Sequence, residues 1–427
     1  MARNQFRSPK GIRDVLPEEQ PYWQHVESVI RETVRLFGYD RLDLPVFEET
    51  ALFQRGVGEG TDIVDKEMYT FTDRSDTSIT LRPEFTAGTM RAYLQNGMAS
   101  LPKPVKLWSA GPVFRYERPQ AGRFRQHTQF NVEAIGDQDP ALDVEIMSVA
   151  WHLYKSLGFK NLSFQVNSIG CARCRPGYLH TLVVYYKDHV KEICDDCGKR
   201  LQKNPLRLLD CKQDQCQPVI RNAPPMVEML CQECSVHFHA LRTYLDELGR
   251  PYQLNNRLVR GLDYYTKTVF EVWAQDIGAQ NAVCGGGRYD GLAEVLGGPP
   301  TPGVGFASGL ERIILTMKEQ NVEIPQVPGP RVFLAAQTES ANRVIVRMLS
   351  DLREAGIAGV MGFGGRSLKA RLREANRRGA RYVLILGESE LSRKRIQIKN
   401  MQGGEQREIA FEEVVSFFKE GDGSVSS

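Results

Sequence analysis

Apolar residues near the start of the chain recur with a helical period. Val26, Ile30, Val34 and Phe37 fall four, four and three apart until Gly38, and Pro21 occupies a first turn that tolerates it. The spacing predicts an amphipathic helix stopped by glycine. Further on, the segments 106–108, 129–134, 162–166 and 269–273 are short and rich in β-branched or aromatic residues. No long helix separates the first two, which predicts an antiparallel sheet. Gly285, Gly286 and Gly287 allow either a close backbone approach to a ligand or a tight turn. Pro325, Pro328, Gly329 and Pro330 mark a boundary within 321–330. After it the pattern alternates: RVFLAA as a strand, 341–355 as a helix ended by Gly356, GVMGF as a strand, 367–378 as a helix, and RYVLILG as a buried strand. Strands alternating with helices predict a small α/β domain with a parallel or mixed sheet. In its second helix Leu368, Leu372 and Ala375 share the sheet-facing side, while Lys369, Arg373 and Arg377 form a basic stripe beside them. The closing GDGSVSS reads as a disordered end.

Length and charge narrow the class. A chain of 427 residues is enough for roughly three domains, each with its own core. With 25% charged and 41% hydrophobic residues the composition is that of a soluble globular protein. The net charge of +3 makes any nucleic-acid surface a local property. From Arg366 to Arg395 ten Lys or Arg stand against three Glu, a surplus of seven in one short stretch. A basic helix face of this kind is either merely solvated or touches phosphates. No apolar run approaches the ~20 residues of a membrane span, and no apolar signal core follows the first residues. The expected location is cytoplasmic.

The richest stretch is 111–133, GPVFRYERPQAGRFRQHTQFNVE. It reads as a strand, a loop carrying Arg115, Arg118, Arg123 and Arg125, and a returning strand that ends on a carboxylate. Several guanidinium forks on one hairpin suit a polyphosphate; the plain alternative is a solvated basic loop. The glycine-rich stretches lack the fixed spacing of a P-loop. Phe114-Arg115-Tyr116-Glu117 matches motif 2 of the class II aminoacyl-tRNA synthetases, and five further segments resemble histidyl-tRNA synthetases in particular. GIRDVLPEE (11–19) is similar to that family's N-terminal signature, and LFGYDRLDLP (36–45) to motif 1. LRPEFTAG (81–88) is like its amino-acid-binding loop, LVRGLDYYTKTVFE (258–271) its histidine-specific motif, and GVGFASGLER (303–312) motif 3.

The resemblance implies a fold: an α+β catalytic domain with an antiparallel sheet flanked by helices, an inserted small domain and a C-terminal α/β domain. Its parts would be 1–166 and 256–325 for the catalytic domain, 167–255 for a Cys-rich insertion, and 331–420 for an anticodon-binding domain. It also implies a chemistry: ATP, bound with Mg2+, and L-histidine give histidyl-adenylate and pyrophosphate, and histidine then passes to its tRNA. By resemblance Arg115 and Arg260 are the catalytic cations at the α-phosphate. Arg123 and Arg312 hold the γ-phosphate, Glu117 meets the adenine amino group, and His127 stacks on the base. Arg260 supplies charge where other class II enzymes use a metal ion. Glu84, Thr86 and Gln129 hold the ammonium and carboxylate of the amino acid; Glu133 and Tyr265, with Tyr289 nearby, read the imidazole. Recognition of both ring nitrogens leaves polar groups unpaired with any other side chain. Gln120 reads the acceptor end of the tRNA, and the stripe Lys369, Arg373 and Arg377 meets its RNA. A motif 1 helix packing across a two-fold axis implies a homodimer. No nucleophilic Cys or His accompanies the motifs, so transfer needs no covalent enzyme intermediate.

Eight of the nine cysteines lie between 171 and 234, paired as Cys171/Cys174, Cys194/Cys197, Cys211/Cys216 and Cys231/Cys234. C-x-x-C spacing lets two thiolates reach one ion, so two pairs complete a tetrahedral Zn2+ site. Four pairs can partner in three ways, giving two sites, or one site with leftover thiols. Disulfides and ordinary core cysteines are the alternatives. His180, His189, His237 and His239 could replace a thiolate. The segment corresponds in position to the family's insertion domain, where such a Zn2+ would be structural.

Two positions depart from the family's pattern. Phe85 replaces the usual glycine, putting bulk beside the expected ammonium site, and His127 stands where the family has a larger aromatic ring. A regulatory, non-catalytic paralogue that binds histidine would lose the catalytic arginines and the C-terminal domain, and a kinase-linked relative would show kinase motifs. An enzyme for proline or threonine would lack the RGLDYY run.

Overall fold

The computed structural model describes residues 6–120, 122–274 and 282–419; the GDGSVSS end and the first five residues lie outside them. The chain divides into two compact units, Met1–Ile324 and Pro325–Ser427.

In the first unit the strands, in chain order, are β1 (Asp40–Arg41), β2 (Phe47–Glu49), β3 (Tyr69–Thr72), β4 (Ser78–Leu81), β5 (Val105–Phe114), β6 (Gln126–Ile135), β7 (Leu162–Ser168), β8 (Tyr252–Leu254), β9 (Thr266–Ala274), β10 (Ala282–Arg288) and β11 (Gly303–Gly309). Eight of them form one sheet in the order β1-β5-β6-β11-β10-β9-β7-β8, antiparallel through the centre and parallel only at its two edge pairs. The small sheet β2-β4-β3 stands apart. All four strands predicted from the short apolar segments are present.

One face of the large sheet is buried by helices. The predicted first helix, Gln20–Leu36, inserts Trp23, Val26, Ile30 and Val34 into the core and ends at Gly38, whose φ of +72° no β-branched residue adopts cheaply. The helices Pro140–Ser156 and Leu310–Glu319 cover the same face, against Phe130, Val132, Ala134, Phe164, Phe270 and Phe306 of the strands. The helix Gln232–Glu247, at the end of the cysteine-rich segment, joins them through Phe238, Leu241 and Leu245. Residues 167–255 therefore lie within the first compact unit, their last helix built into the main core. The rest of that segment packs with Val259, Tyr264 and Tyr265 in a second apolar cluster.

A fully buried ion pair ties these layers together. Arg288, at the end of β10, and Asp143, on the Pro140–Ser156 helix, have no exposed side-chain surface and form a two-pronged charge-assisted bond. His237 of the Gln232–Glu247 helix reaches the same carboxylate at 3.3 Å. Burial pushes the Asp143 carboxyl up, but Arg288 and His237 outweigh it and hold the group below the usual carboxylate range. Removing one member of such a pair strands a desolvated charge.

The second unit contains β12 (Val332–Ala336), β13 (Gly359–Met361), β14 (Tyr382–Leu386), β15 (Arg395–Asn400) and β16 (Gln406–Ala410) in one mixed sheet. β13, β12 and β14 run parallel, and β15 and β16 are antiparallel. The helix Glu339–Glu354 is capped by Thr338, and Leu368–Arg377 by Ser367, whose hydroxyl accepts from the Ala370 N–H. Leu368, Leu372 and Ala375 pack against the sheet, and Lys369, Arg373 and Arg377 are exposed, as the helical period required.

Asp143→Ala is expected to lower the unfolding free energy by about 3 kcal/mol, read from the denaturant midpoint, because Arg288 stays buried without its carboxylate.

Candidate active site

The open face of the large sheet is polar because of a two-residue period. On β6 the side chains of His127, Gln129, Asn131 and Glu133 share one face, and Phe130, Val132 and Ala134 fill the core on the other. On the β11 and β10 side the neighbouring strands supply almost no side chain there. Gly305 lies directly opposite Glu133, and Gly285 opposite Ala307 and Glu271. A Cβ at Gly305 would overlap the Glu133 carboxylate, and one at Gly285 would overlap the Arg260 guanidinium. The glycines are thus strand residues where functional side chains lie flat on the backbone, and the tight-turn reading of 285–287 is excluded by their place in β10.

A cavity of about 150 Å³ above this floor brings together Glu84, Thr86, Arg115, Gln129, Glu133, Arg260, Tyr265 and Tyr289. Glu133 is buried and accepts from the Thr86 hydroxyl at 2.5 Å, the Asn131 amide at 2.8 Å and the Tyr289 hydroxyl at 2.5 Å. Desolvation dominates nonetheless and pushes its carboxyl up to about 7. Glu84 accepts from the backbone N–H groups of Thr86 and Ala87 at the start of the Thr86–Gln95 helix, at 2.5 and 2.9 Å. Its carboxyl is still raised, because burial outweighs those bonds. Arg260 pairs with Glu271 of β9 at 2.6 Å, and Glu271 also accepts from the Trp273 indole at 2.9 Å.

A second cavity, about 270 Å³, is lined by Arg115, Glu117, Arg123, His127 and Arg312. Arg115 belongs to both cavities, with its Nε anchored on the Pro83 carbonyl at 2.8 Å. Arg123 contacts Glu117 at 3.4 Å. Burial and then Arg115 push the His127 ring down to about 4, so it is neutral near pH 7. Arg312 is lowered chiefly by burial, with Arg123 adding repulsion. Four buried polar atoms here have no protein partner: Nε of Arg260, Nη2 of Arg312, Nδ1 of His127 and Oε1 of Gln129. Unpaired buried groups are uncommon and call for an explanation; gathered on these two cavities, they suit a ligand carrying both anionic and cationic groups. Gln120 is exposed on the loop above, its backbone paired with Arg123.

Sequence reasoning missed Asn131, Glu271 and Tyr264. Asn131 is two residues from Glu133 on a strand, a signal that was available. Tyr264 shares the cavity with Tyr265 because 262–265 is a turn, where adjacent side chains need not point to opposite faces. Phe85 does not crowd the cavity as expected: its ring is buried beneath the Arg82 guanidinium, 4.3 Å from it, outside the lining.

The family model described as histidyl-tRNA synthetase matches residues 11–174 and 212–313, and that of an anticodon binding domain matches 330–421. The chain belongs to the histidyl-tRNA synthetase family. It is 50% identical over 411 residues to a histidine–tRNA ligase of Desulforamulus reducens, covering 96% of this chain and 98% of that one. It is 47% identical to one of Acetivibrio thermocellus, with 97% and 99% covered. The crystal structure of the apo histidyl-tRNA synthetase of S. aureus is similar at a TM-score of 0.82 and 36% identity, covering 97% of this chain and all of that chain. The architecture is thus the family's class II synthetase fold with a C-terminal anticodon-binding domain. Among the described residues no helix is long and apolar enough to cross a membrane.

Within the synthetase's first unit, the eight paired cysteines form two separate tetrads: Cys171, Cys174, Cys231 and Cys234, and Cys194, Cys197, Cys211 and Cys216. Of the three partnerings open to the sequence, the structure selects the one in which the inner two pairs meet each other. In each tetrad the nearest sulfur atoms stand 3.8–3.9 Å apart. That matches the edge of a tetrahedron with ~2.3 Å metal–sulfur bonds, about 3.8 Å, so the donors fit Zn2+. No histidine joins either tetrad: His237 is turned to Asp143, and His189 stacks on Tyr185.

Two outcomes are expected. Gly285→Ala should displace the Arg260 guanidinium and cut the amino-acid activation rate by at least ~100-fold, in line with loss of a preorganised cation, while thermal stability changes little. For Glu133, the folded state favours the protonated acid. Its contribution to stability is therefore complete below the usual value of 4.5 and is lost as pH rises to about 7. Thermal melts of the ligand-free protein should show Glu133→Gln gaining on the parent across that window and levelling off above it.

Proposed function

We infer that this chain is a histidine–tRNA ligase: it activates L-histidine with ATP to histidyl-adenylate, releasing pyrophosphate, and transfers the histidyl group to its tRNA with release of AMP. The observation that carries the reading is Arg115, shared between a cavity with imidazole-type partners and a cavity lined by cations. A carboxylate attacking the α-phosphorus has to reach it where two such spaces meet. The attack adds negative charge around phosphorus, so guanidiniums already in place lower the barrier without reorganising.

The motifs and the lining of the two cavities support the following roles. Arg115 and Arg260 flank the α-phosphate, Arg260 aimed by Glu271. Arg123 and Arg312 take the γ-phosphate of ATP, bound with Mg2+; their mutual repulsion is relieved by the anion. Glu117 accepts from the adenine amino group and the neutral ring of His127 stacks on the base. Glu84 and Gln129 receive the ammonium of histidine, and Thr86 and Arg260 lie beside its carboxylate. Glu133, Tyr265 and Tyr289 satisfy the two ring nitrogens. In this reading Glu133 exchanges protein donors for the imidazole N–H, which selects histidine because another side chain leaves a buried carboxylate underpaired.

Gln120, exposed on the loop over the second cavity, meets the acceptor end of the tRNA. Lys369, Arg373 and Arg377 contact the phosphates of the tRNA through the C-terminal domain, which would make that contact salt-dependent. The exposed apolar residues Val46 and Phe47, next to motif 1, support a homodimer. The fit of both thiol tetrads supports structural Zn2+ within the 167–255 insertion. A role in charging tRNA places the protein in the cytoplasm.

The test is amino-acid-dependent exchange between ATP and pyrophosphate. Exchange is expected with L-histidine alone; exchange supported by proline or threonine and not by histidine would overturn the assignment of the pocket.

A further inference from the structure

The histidine-specific segment is not held by the catalytic sheet alone. It packs on the cysteine-rich segment, and its two ends are gripped by arginines from that segment. Arg175 directly follows Cys174. Its Nη2 donates to the Tyr265 carbonyl at 2.5 Å, and the same guanidinium holds the carbonyls of Ile169 at 3.1 Å and Gly170 at 3.2 Å. Arg207, four residues before Cys211, donates to the Arg260 carbonyl at 3.3 Å and to Asp62 at 2.9 Å. Between them, the Asn204 amide donates to Asp263 at 2.9 Å. A further link runs from Glu233, which precedes Cys234: Lys267 bridges it, at 3.0 Å, to Asp290 beside Tyr289, at 3.3 Å.

We propose that the segment binds two Zn2+ ions, one in each tetrad, and that through Arg175 and Arg207 the two centres hold opposite ends of the Arg260–Tyr265 stretch in its histidine-binding position. This rests on the structural-zinc reading above and goes beyond it, since it makes metal occupancy a determinant of the amino-acid pocket. The outer tetrad joins the start of the segment, at Cys171 and Cys174, to the helix that opens at Cys231 and carries Glu233 and Cys234. The inner tetrad closes the turns that present Asn204 and Arg207. The cross-links add fixed points close to both arginines, on chain that is otherwise held by the second apolar cluster. Arg175 and Arg207 are positioning residues: each touches backbone, and neither faces the reacting atoms.

The experiment uses the full chain purified without chelator. Metal analysis is expected to give about two Zn2+ per chain, four thiolates to each. Replacing Cys231 and Cys234 together with serine should leave one. Arg175→Gln keeps every thiolate, so it should retain both ions. It should weaken histidine binding at equilibrium by about tenfold, the worth of one charge-assisted hydrogen bond, with the Kd for ATP within about twofold of the parent. Arg175→Lys, which can still reach one carbonyl, should fall between. Absence of stoichiometric zinc overturns the metal reading itself, and one ion per chain overturns the second site. Two ions in Arg175→Gln with unchanged histidine affinity overturn the coupling while leaving the zinc reading intact. Should the serine variant fail to fold, the stoichiometry of the unaltered chain and the arginine variants decide the question.

Discussion

The site depends on the register of one strand. β6 is ten residues long, polar on one face and apolar on the other, and it is paired along its whole length with β5 and over 129–135 with β11. A slip of one residue would drive Glu133 into the core and turn Phe130 toward the ligand, so the burial of Phe130, Val132 and Ala134 fixes the polar set indirectly. The same register places Gly305 beside Glu133. Glycine there is a steric requirement, because the carboxylate occupies the volume a side chain would need.

Around that strand the protein keeps charges out of water and satisfies them unevenly. Arg288 and Asp143, fully buried, are saturated with partners. In the two cavities the pairing is incomplete: Arg260 has Glu271 but an orphan Nε, and Arg312 has a buried Nη2 without an acceptor. Incomplete pairing costs stability in the free protein, and a triphosphate or amino acid offsets it on binding. Stability and recognition thus draw on the same kind of interaction, completed in one place by the fold and in the other by the substrate.

Much of this was legible in the chain. The first helix was readable from Val26, Ile30 and Val34, and the C-terminal alternation from RVFLAA and RYVLILG, because apolar periodicity reports burial directly. The motif arginines and Glu133 were readable because their order along the chain is distinctive, and all of the residues named for ATP and histidine line one or both cavities. What stayed hidden was pairing across sequence distance. Glu271 as the partner of Arg260, the meeting of Cys171 and Cys174 with Cys231 and Cys234, and the grip of Arg175 on Tyr265 depend on three-dimensional closure that no local pattern encodes. The apparent bulk at Phe85 misled for the same reason: which way a ring points at the start of a helix depends on its neighbour, here Arg82.

The glycine floor also limits how such a pocket can be remade. Where the base of the site is glycine backbone, at Gly285 and Gly305, it offers no side chain to enlarge, shrink or recharge. Any route to a different amino acid, whether by laboratory redesign or natural drift, has to run through the walls, at Thr86, Tyr264, Tyr265 and Tyr289. Two of those walls, Thr86 and Tyr289, also donate the hydrogen bonds that hold Glu133, so a change at either also perturbs that buried acid.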